Sequence, residues 1–282
     1  INMNKKILKI AALVTDFILI IGLSWLGNAL LGNPISKMLA TNTAKQHLAE
    51  TYVETDFYIE RITYSFKDSN YHAFIKSPSS IDTEFSLTIS MLGKLKLDTY
   101  DDVVNGFNTA RRVDMEYREL VDTIFEHPNF PYSGRIGYGT LEIYPDEFIE
   151  NDENDEFPSY SIAQSSLELD KIYDIRELGR QAGHIIIYAE CDTVSIEKAA
   201  EMMVDIKSYF DDANIPFVAM DFTLQYMKSE DGTRSDVEVH VKDFAYEDIY
   251  PEGMKDRVLK AHDALTEYYN RLDKEKLNED IE

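Results

Sequence analysis

The first thirty residues constrain this chain most. From Ile10 to Leu31 the sequence is almost wholly apolar, and Lys5, Lys6 and Lys9 come just before it. As a helix, those 22 residues span about 33 Å at 1.5 Å per residue. A hydrocarbon core of about 30 Å is shorter than that. Asp16 opposes insertion by about 3 kcal/mol, and the twelve Leu, Ile, Val and Phe residues of the run offset it by about 4–7 kcal/mol. The expectation is a basic cytosolic tail at 1–9 and a single-pass transmembrane anchor at 10–31. The lysines then keep the N-terminus inside, and the rest becomes extracytoplasmic at the cell membrane. The alternative is a cleaved signal peptide, with Gly27-Asn28-Ala29 supplying the small residues of a cleavage site and a secreted product starting near Ala29. Asp16 is a candidate intramembrane contact to a partner helix, against simple snorkelling to the cytosolic face.

Charge excludes other classes. With 52 acidic and 28 basic side chains the formal net charge is −24, which repels phosphate backbones and argues against nucleic-acid binding. A lone cysteine excludes an intrachain disulfide, a cysteine zinc site and an iron–sulfur cluster. No cofactor or metal is expected.

Beyond the apolar run the pattern is α+β. Gly32-Asn33-Pro34 breaks the first helix, and Ser36 to Thr51 reads as a second. Strands follow at Phe57 to Lys67 and Tyr71 to Ser77, around the turn residues Lys67-Asp68-Ser69-Asn70. At Glu84 to Met91, Phe85, Leu87, Ile89 and Met91 alternate with polar neighbours. Val103, Phe107, Ala110, Tyr117, Val121 and Ile124 make an apolar stripe at helical spacing, and Asp114 falls on the opposite face. His127 to Gly134 is a loop, and Ile136 to Tyr144 a strand. Glu150 to Glu156 is a charged, solvated break that lacks the glycine of a calcium loop. A short helix spans Asp170 to Ala182, and an apolar central strand His184 to Glu190. Then come a helix from Ser195 to Ala213, a hairpin of Phe217 to Lys228 and Asp236 to Phe244, and a final helix from Met254. Two exported α+β domains result, 34–130 and 131–276, with the acidic loop 150–156 in the second and a frayed tail at 277–282. Each is read as an antiparallel sheet with helices. Ile62-Tyr64-Phe66 rhymes with Phe222-Leu224-Tyr226, so the halves are either a diverged duplication or convergent use of one layer architecture.

Gly32-Asn33-Pro34, Tyr52 to Phe66, Tyr71 to Lys76, Asp98-Thr99-Tyr100 and Asn108-Thr109-Ala110-Arg111-Arg112 resemble the YfjL-like family. The resemblance covers residues 1 to about 125. It implies a membrane-anchored protein of Bacillota with a small exported α+β domain. It implies no catalytic residues.

Signatures of chemistry are sparse. Ser195-Ile196-Glu197-Lys198 has the Ser-x-x-Lys spacing of a nucleophilic serine, yet Ser195 is also an ordinary helix cap, and the companion motifs of that enzyme class are missing. Cys191 reads as a packed thiol. The six histidines lie far apart, and His47 with Glu50 lacks a second imidazole. With 52 carboxylates, no acidic pair for hydrolysis can be singled out. The expectation is therefore a non-enzymatic module that binds a protein or peptide partner at the cell envelope. The runner-up is an envelope hydrolase with an unidentified acidic pair, and a third reading is an accessory subunit of a membrane complex. Candidates for partner contact are Tyr132, Tyr138, Tyr144 and Tyr160, with Asp152 and Glu153 of the acidic loop. Tyrosine suits wet interfaces because its ring buries area while its hydroxyl stays solvated.

Overall fold

The computed structural model describes residues 5–132, 137–150, 157–229, 232–233 and 235–279. The chain divides into two compact units, 1–108 and 109–282.

The first unit opens with α1 (Lys5–Leu31) and α2 (Pro34–Thr51). Between them Gly32 adopts φ +68°, and Asn33 caps α2 by accepting from the Ser36 N–H at 2.8 Å. Pro34 then takes the first helical position, where a missing N–H costs nothing. Among the described residues no helix is long and apolar enough to cross a membrane. The exposed carboxylate of Asp16 lies within α1. The single-pass anchor at 10–31 is corrected on that finding. The membrane partnership, the N-in orientation and the extracytoplasmic location drawn from it fall with it.

The four strands of this unit, β1 (Tyr58–Ser65), β2 (Asn70–Lys76), β3 (Glu84–Ser90) and β4 (Leu95–Asp98), form an antiparallel meander in that order. Period-2 alternation sends Ala73, Ile75, Phe85, Leu87 and Ile89 to one buried face with Ala40 and Ala44 of α2. A one-turn helix, α3 (Asp101–Val104), ends at Gly106, whose φ of +82° suits glycine.

The unit boundary falls inside α4 (Phe107–Phe125). Asn108 donates to Asp82 O and Glu84 O in the first unit. Ala110, Val113, Tyr117, Val121 and Ile124 belong to the second unit's core, so the helix grouped by sequence with the first domain serves the second. Phe107, the expected buried member, is 47% exposed, because it occupies the helix end outside that core. Asp114, expected to face solvent, accepts from Leu141 N at 2.7 Å and Thr140 Oγ1 at 2.8 Å.

The second unit continues through β5 (Gly137–Leu141), β6 (Ile143–Tyr144), α5 (Asp146–Glu150), β7 (Ile162–Ala163) and α6 (Ile175–Ala182). Then follow β8 (Gly183–Cys191), α7 (Ile196–Asp212), β9 (Ala219–Tyr226), β10 (Glu238–Ala245) and α8 (Met254–Glu279). The main sheet has the order β10-β9-β8-β5. Its ends pair antiparallel, but β8 and β9 pair parallel through the α7 crossover. The second sheet is therefore mixed, not antiparallel, and its wiring differs from the first unit's meander. The rhyme between Ile62-Tyr64-Phe66 and Phe222-Leu224-Tyr226 does not extend to topology. Ile185, Ile187, Met220, Phe222 and Leu224 face the core with Met203, Ile206 and Phe210 of α7. The final helix continues past the expected fraying point to Glu279.

Candidate functional site

Three carboxylates and two tyrosines of the second unit surround one buried imidazole. His184 opens β8 on the face opposite Ile185, and it is only 4% exposed. Burying an imidazole so deeply requires partners, and separate elements supply them. Glu142 sits between β5 and β6, where the expected continuous strand breaks, with its oxygen Oε1 2.8 Å from His184 Nδ1. Asp221 of β9 places Oδ1 3.0 Å from Nε2. Asp243 comes from a bulge in β10, between Val241 and Phe244, where its φ is +49°. The bulge turns the Asp243 N–H toward Asp221 Oδ1, at 2.7 Å, and brings its carboxylate within 3.8 Å of His184.

Two tyrosines complete the cluster. Tyr160 donates to Asp243 Oδ1 at 3.1 Å, and its hydroxyl lies 3.0 Å from His184 Nδ1. Tyr144 donates to Glu142 Oε2. Burial and the neighbouring carboxylates push both hydroxyls well above the usual tyrosine range. Burial would lower the His184 pKa, but hydrogen bonds to Asp221 and Glu142 overcome it and hold the ring at about 9. Burial opposes ionisation of Asp221, yet the His184 bond keeps its carboxyl below the ordinary value.

At neutral pH His184 is thus an imidazolium with both N–H groups committed. It has no lone pair for proton abstraction, and it clamps β8 to β9, to the β5–β6 junction and to the β10 bulge. Among the described residues, His184, Asp221 and Asp243 are the group whose donor atoms, all within 4.8 Å of one another, could hold a metal ion. An ion would have to displace the proton shared with Asp221.

The other candidates from sequence are scattered. Tyr132 donates to Asp205 Oδ2 of α7 at 2.6 Å, and burial with that bond raises its pKa. Tyr138 lies on β5 beneath the Arg118 guanidinium, 4.7 Å from the ring centre. Asp152 and Glu153 lie outside the described residues. The Ser195 hydroxyl accepts from Lys198 N at 3.1 Å, as a helix cap does. His47 pairs with Asp98 at 2.7 Å, an acceptor shared with Tyr52. Of the His184 cluster, sequence reading reaches Tyr144 and Tyr160 but not His184, Glu142, Asp221 or Asp243. The available signal was a histidine at the head of the run Ile185-Ile186-Ile187, a position that must be buried and therefore partnered.

Beside Tyr132 the surface is concave. A groove of about 640 Å³ runs between α7 and the start of α8, with Ala200, Val204, Pro251 and Met254 as its apolar lining and Glu197, Glu201 and Asp205 among its polar residues. A larger hollow of about 810 Å³ at the far end of α7 carries polar groups that are already paired, such as Tyr246 with Asp211 at 2.7 Å.

Two family models match the chain: the YfjL-like N-terminal domain over residues 4–101 and the YfjL-like C-terminal domain over 116–259. The match carries the resemblance into the second half of the sequence. No curated protein and no solved structure matches.

Proposed function

The chain belongs to the YfjL-like family, and from that premise we propose that its second unit is a binding module for a protein or peptide partner. One observation carries the reading: the groove along α7 combines an apolar floor with an acidic rim, one member of which, Asp205, accepts from the Tyr132 hydroxyl. Its volume lies within the 300–1,000 Å³ typical of ligand sites, so it takes one or two side chains of a partner rather than a whole element. A chain of net charge −24 attracts cationic partners and repels anionic ones.

The alternative of a hydrolase needs a free base beside a reacting atom. Both ring nitrogens of His184 are engaged, which favours a structural clamp over acid–base work. Binding is therefore the reading we retain. It is tested by crosslinking capture from cell extract, with the full chain beside Val204→Arg, which fills the groove with charge. A partner captured by the wild type and lost with the variant is the expected result. Identical captures would refute it.

A further inference from the structure

His184, Asp221 and Asp243 bring one imidazole nitrogen and two carboxylate donors within 4.8 Å of one another. The 3.0 Å between His184 Nε2 and Asp221 Oδ1 suits adjacent ligands on a coordination sphere of about 2.0–2.2 Å radius. Each donor is held from behind. Glu142 Oε1 lies 2.8 Å from His184 Nδ1, so a proton on Nδ1 points there and Nε2 is left to face Asp221. Tyr160 donates to Asp243 Oδ1, and the Asp243 N–H donates to Asp221 Oδ1. Tyr144 donates to Glu142. A carboxylate on the far nitrogen of the ring, itself hydrogen-bonded, is the outer shell that orients a metal-ligating histidine.

The charge of the cluster points the same way. Among the described residues, the cations paired with its three carboxylates are the His184 ring and Lys242, whose Nζ lies 3.6 Å from Asp243 Oδ2 at the rim. Formally the cluster is one positive charge short, around a buried ring and a buried Glu142, where unbalanced charge is costly. A divalent ion in place of the Nε2 proton supplies one charge more than the proton did, and the balance closes. Asp243 is exposed, which gives an ion its way in.

We infer that His184, Asp221 and Asp243 bind one divalent transition ion of the zinc class, with Glu142 as the outer acceptor that fixes the ring. The imidazole donor favours such an ion over magnesium or calcium, which take oxygen ligands. Metal and proton compete for Nε2. The metal-free chain keeps the protonated clamp, and in the loaded chain the ion ties β8 to β9 and to the β10 bulge. Three protein ligands leave a fourth position for water. The binding reading rests on the α7 groove and stands or falls separately.

The test is isothermal titration of the full chain, first stripped with a chelator, with zinc chloride. One zinc ion per chain should bind with micromolar or tighter affinity in excess magnesium chloride, and Tm should rise with zinc concentration. Asp243→Asn removes an exposed ligand yet keeps an acceptor for Tyr160, and it should weaken zinc by at least about ten- to a hundred-fold. His184→Gln should abolish the site. Circular dichroism checks that both variants fold, and Asp243→Asn alone decides if His184→Gln does not. Asp152→Asn with Glu153→Gln, in the acidic run, should leave zinc binding unchanged. Weak binding that magnesium abolishes overturns the site. So does zinc affinity unaltered by Asp243→Asn, or lost with the acidic-run variant, which would mark general attraction to surface carboxylates.

Discussion

Tyr117→Phe removes one oxygen and leaves the ring. Tyr117 is fully buried, and its hydroxyl donates to Pro216 O at 2.9 Å. Three glycines close on it. A Cβ at Gly139 would lie 3.0 Å from ring Cε1, one at Gly179 2.7 Å from Cε2, and one at Gly183 2.5 Å from the hydroxyl. Contacts so tight leave no room for the ring to tilt or for a water to replace the lost bond. The substitution forfeits a net hydrogen bond of about 0.5–1.5 kcal/mol, and it leaves a carbonyl under-satisfied, at about 1–3 kcal/mol if fully desolvated. Pro216 is only half-buried, so the combined loss should be about 1–2 kcal/mol. For a unit of this size that lowers Tm by about 2–4 °C per kcal/mol. Tyr117→Ala adds a cavity and should cost about 3–5 kcal/mol. Gly183→Ala should also destabilise, because its methyl group would meet the hydroxyl and the Gly179 carbonyl. Urea denaturation of the full chain measures all three. A loss under about 0.3 kcal/mol for Tyr117→Phe, with Gly183→Ala equally silent, would refute the close-packed pocket.

In the same assay Asp114→Ala should cost about 1–3 kcal/mol, since it strips the acceptor from the Leu141 N–H. Phe107→Ala, half exposed, should cost less than about 1 kcal/mol, and the reverse order would refute the placement of α4. The His184 pKa is raised from 6.5 to about 9, so its contribution is full below pH 6.5 and is lost as pH rises through 9; the shift is worth about 3 kcal/mol at most. The stability gap between wild type and His184→Gln should therefore narrow from about pH 6 to about pH 9.5, whereas a constant gap would show that the ring's pKa does not change on folding. Asp221 acts in the opposite window: its pKa is lowered, so its contribution is present above 3.8 and lost as pH falls through the folded value. For a captured partner, Tyr132→Ala should shorten the lifetime of the complex with little change in association rate, read by surface plasmon resonance; an unchanged off-rate would remove Tyr132 from the interface.

Local signals in the sequence were reliable where one element alone decides the outcome. The alternation at Phe85, Leu87 and Ile89 is a buried strand face, Gly32-Asn33-Pro34 separates two helices, and Ser195 is the helix cap its position suggests. Pairing is a different matter. Periodicity says that β8 and β9 are apolar strands but not that α7 lays them parallel, so the expectation of an antiparallel sheet fails for the second unit. The stripe on α4 is real from Ala110 onward, yet a helical wheel cannot show that the core ends before Phe107. Polar side chains hide most completely. Asp114 looks solvated on a wheel and is spent on a strand N–H. Tyr144 and Tyr160 were singled out for their exposed chemistry, and both reach the central site, but their hydroxyls serve Glu142 and Asp243. The site itself draws on positions 142, 184, 221 and 243, each on a different stretch of chain. Three of 52 carboxylates converge on one imidazole, and no spacing rule could select them from so large a set. The histidine was the one distinctive member. A titratable ring at the head of an apolar central strand has to be neutralised from neighbouring strands, and in an acidic chain the groups available for that are carboxylates.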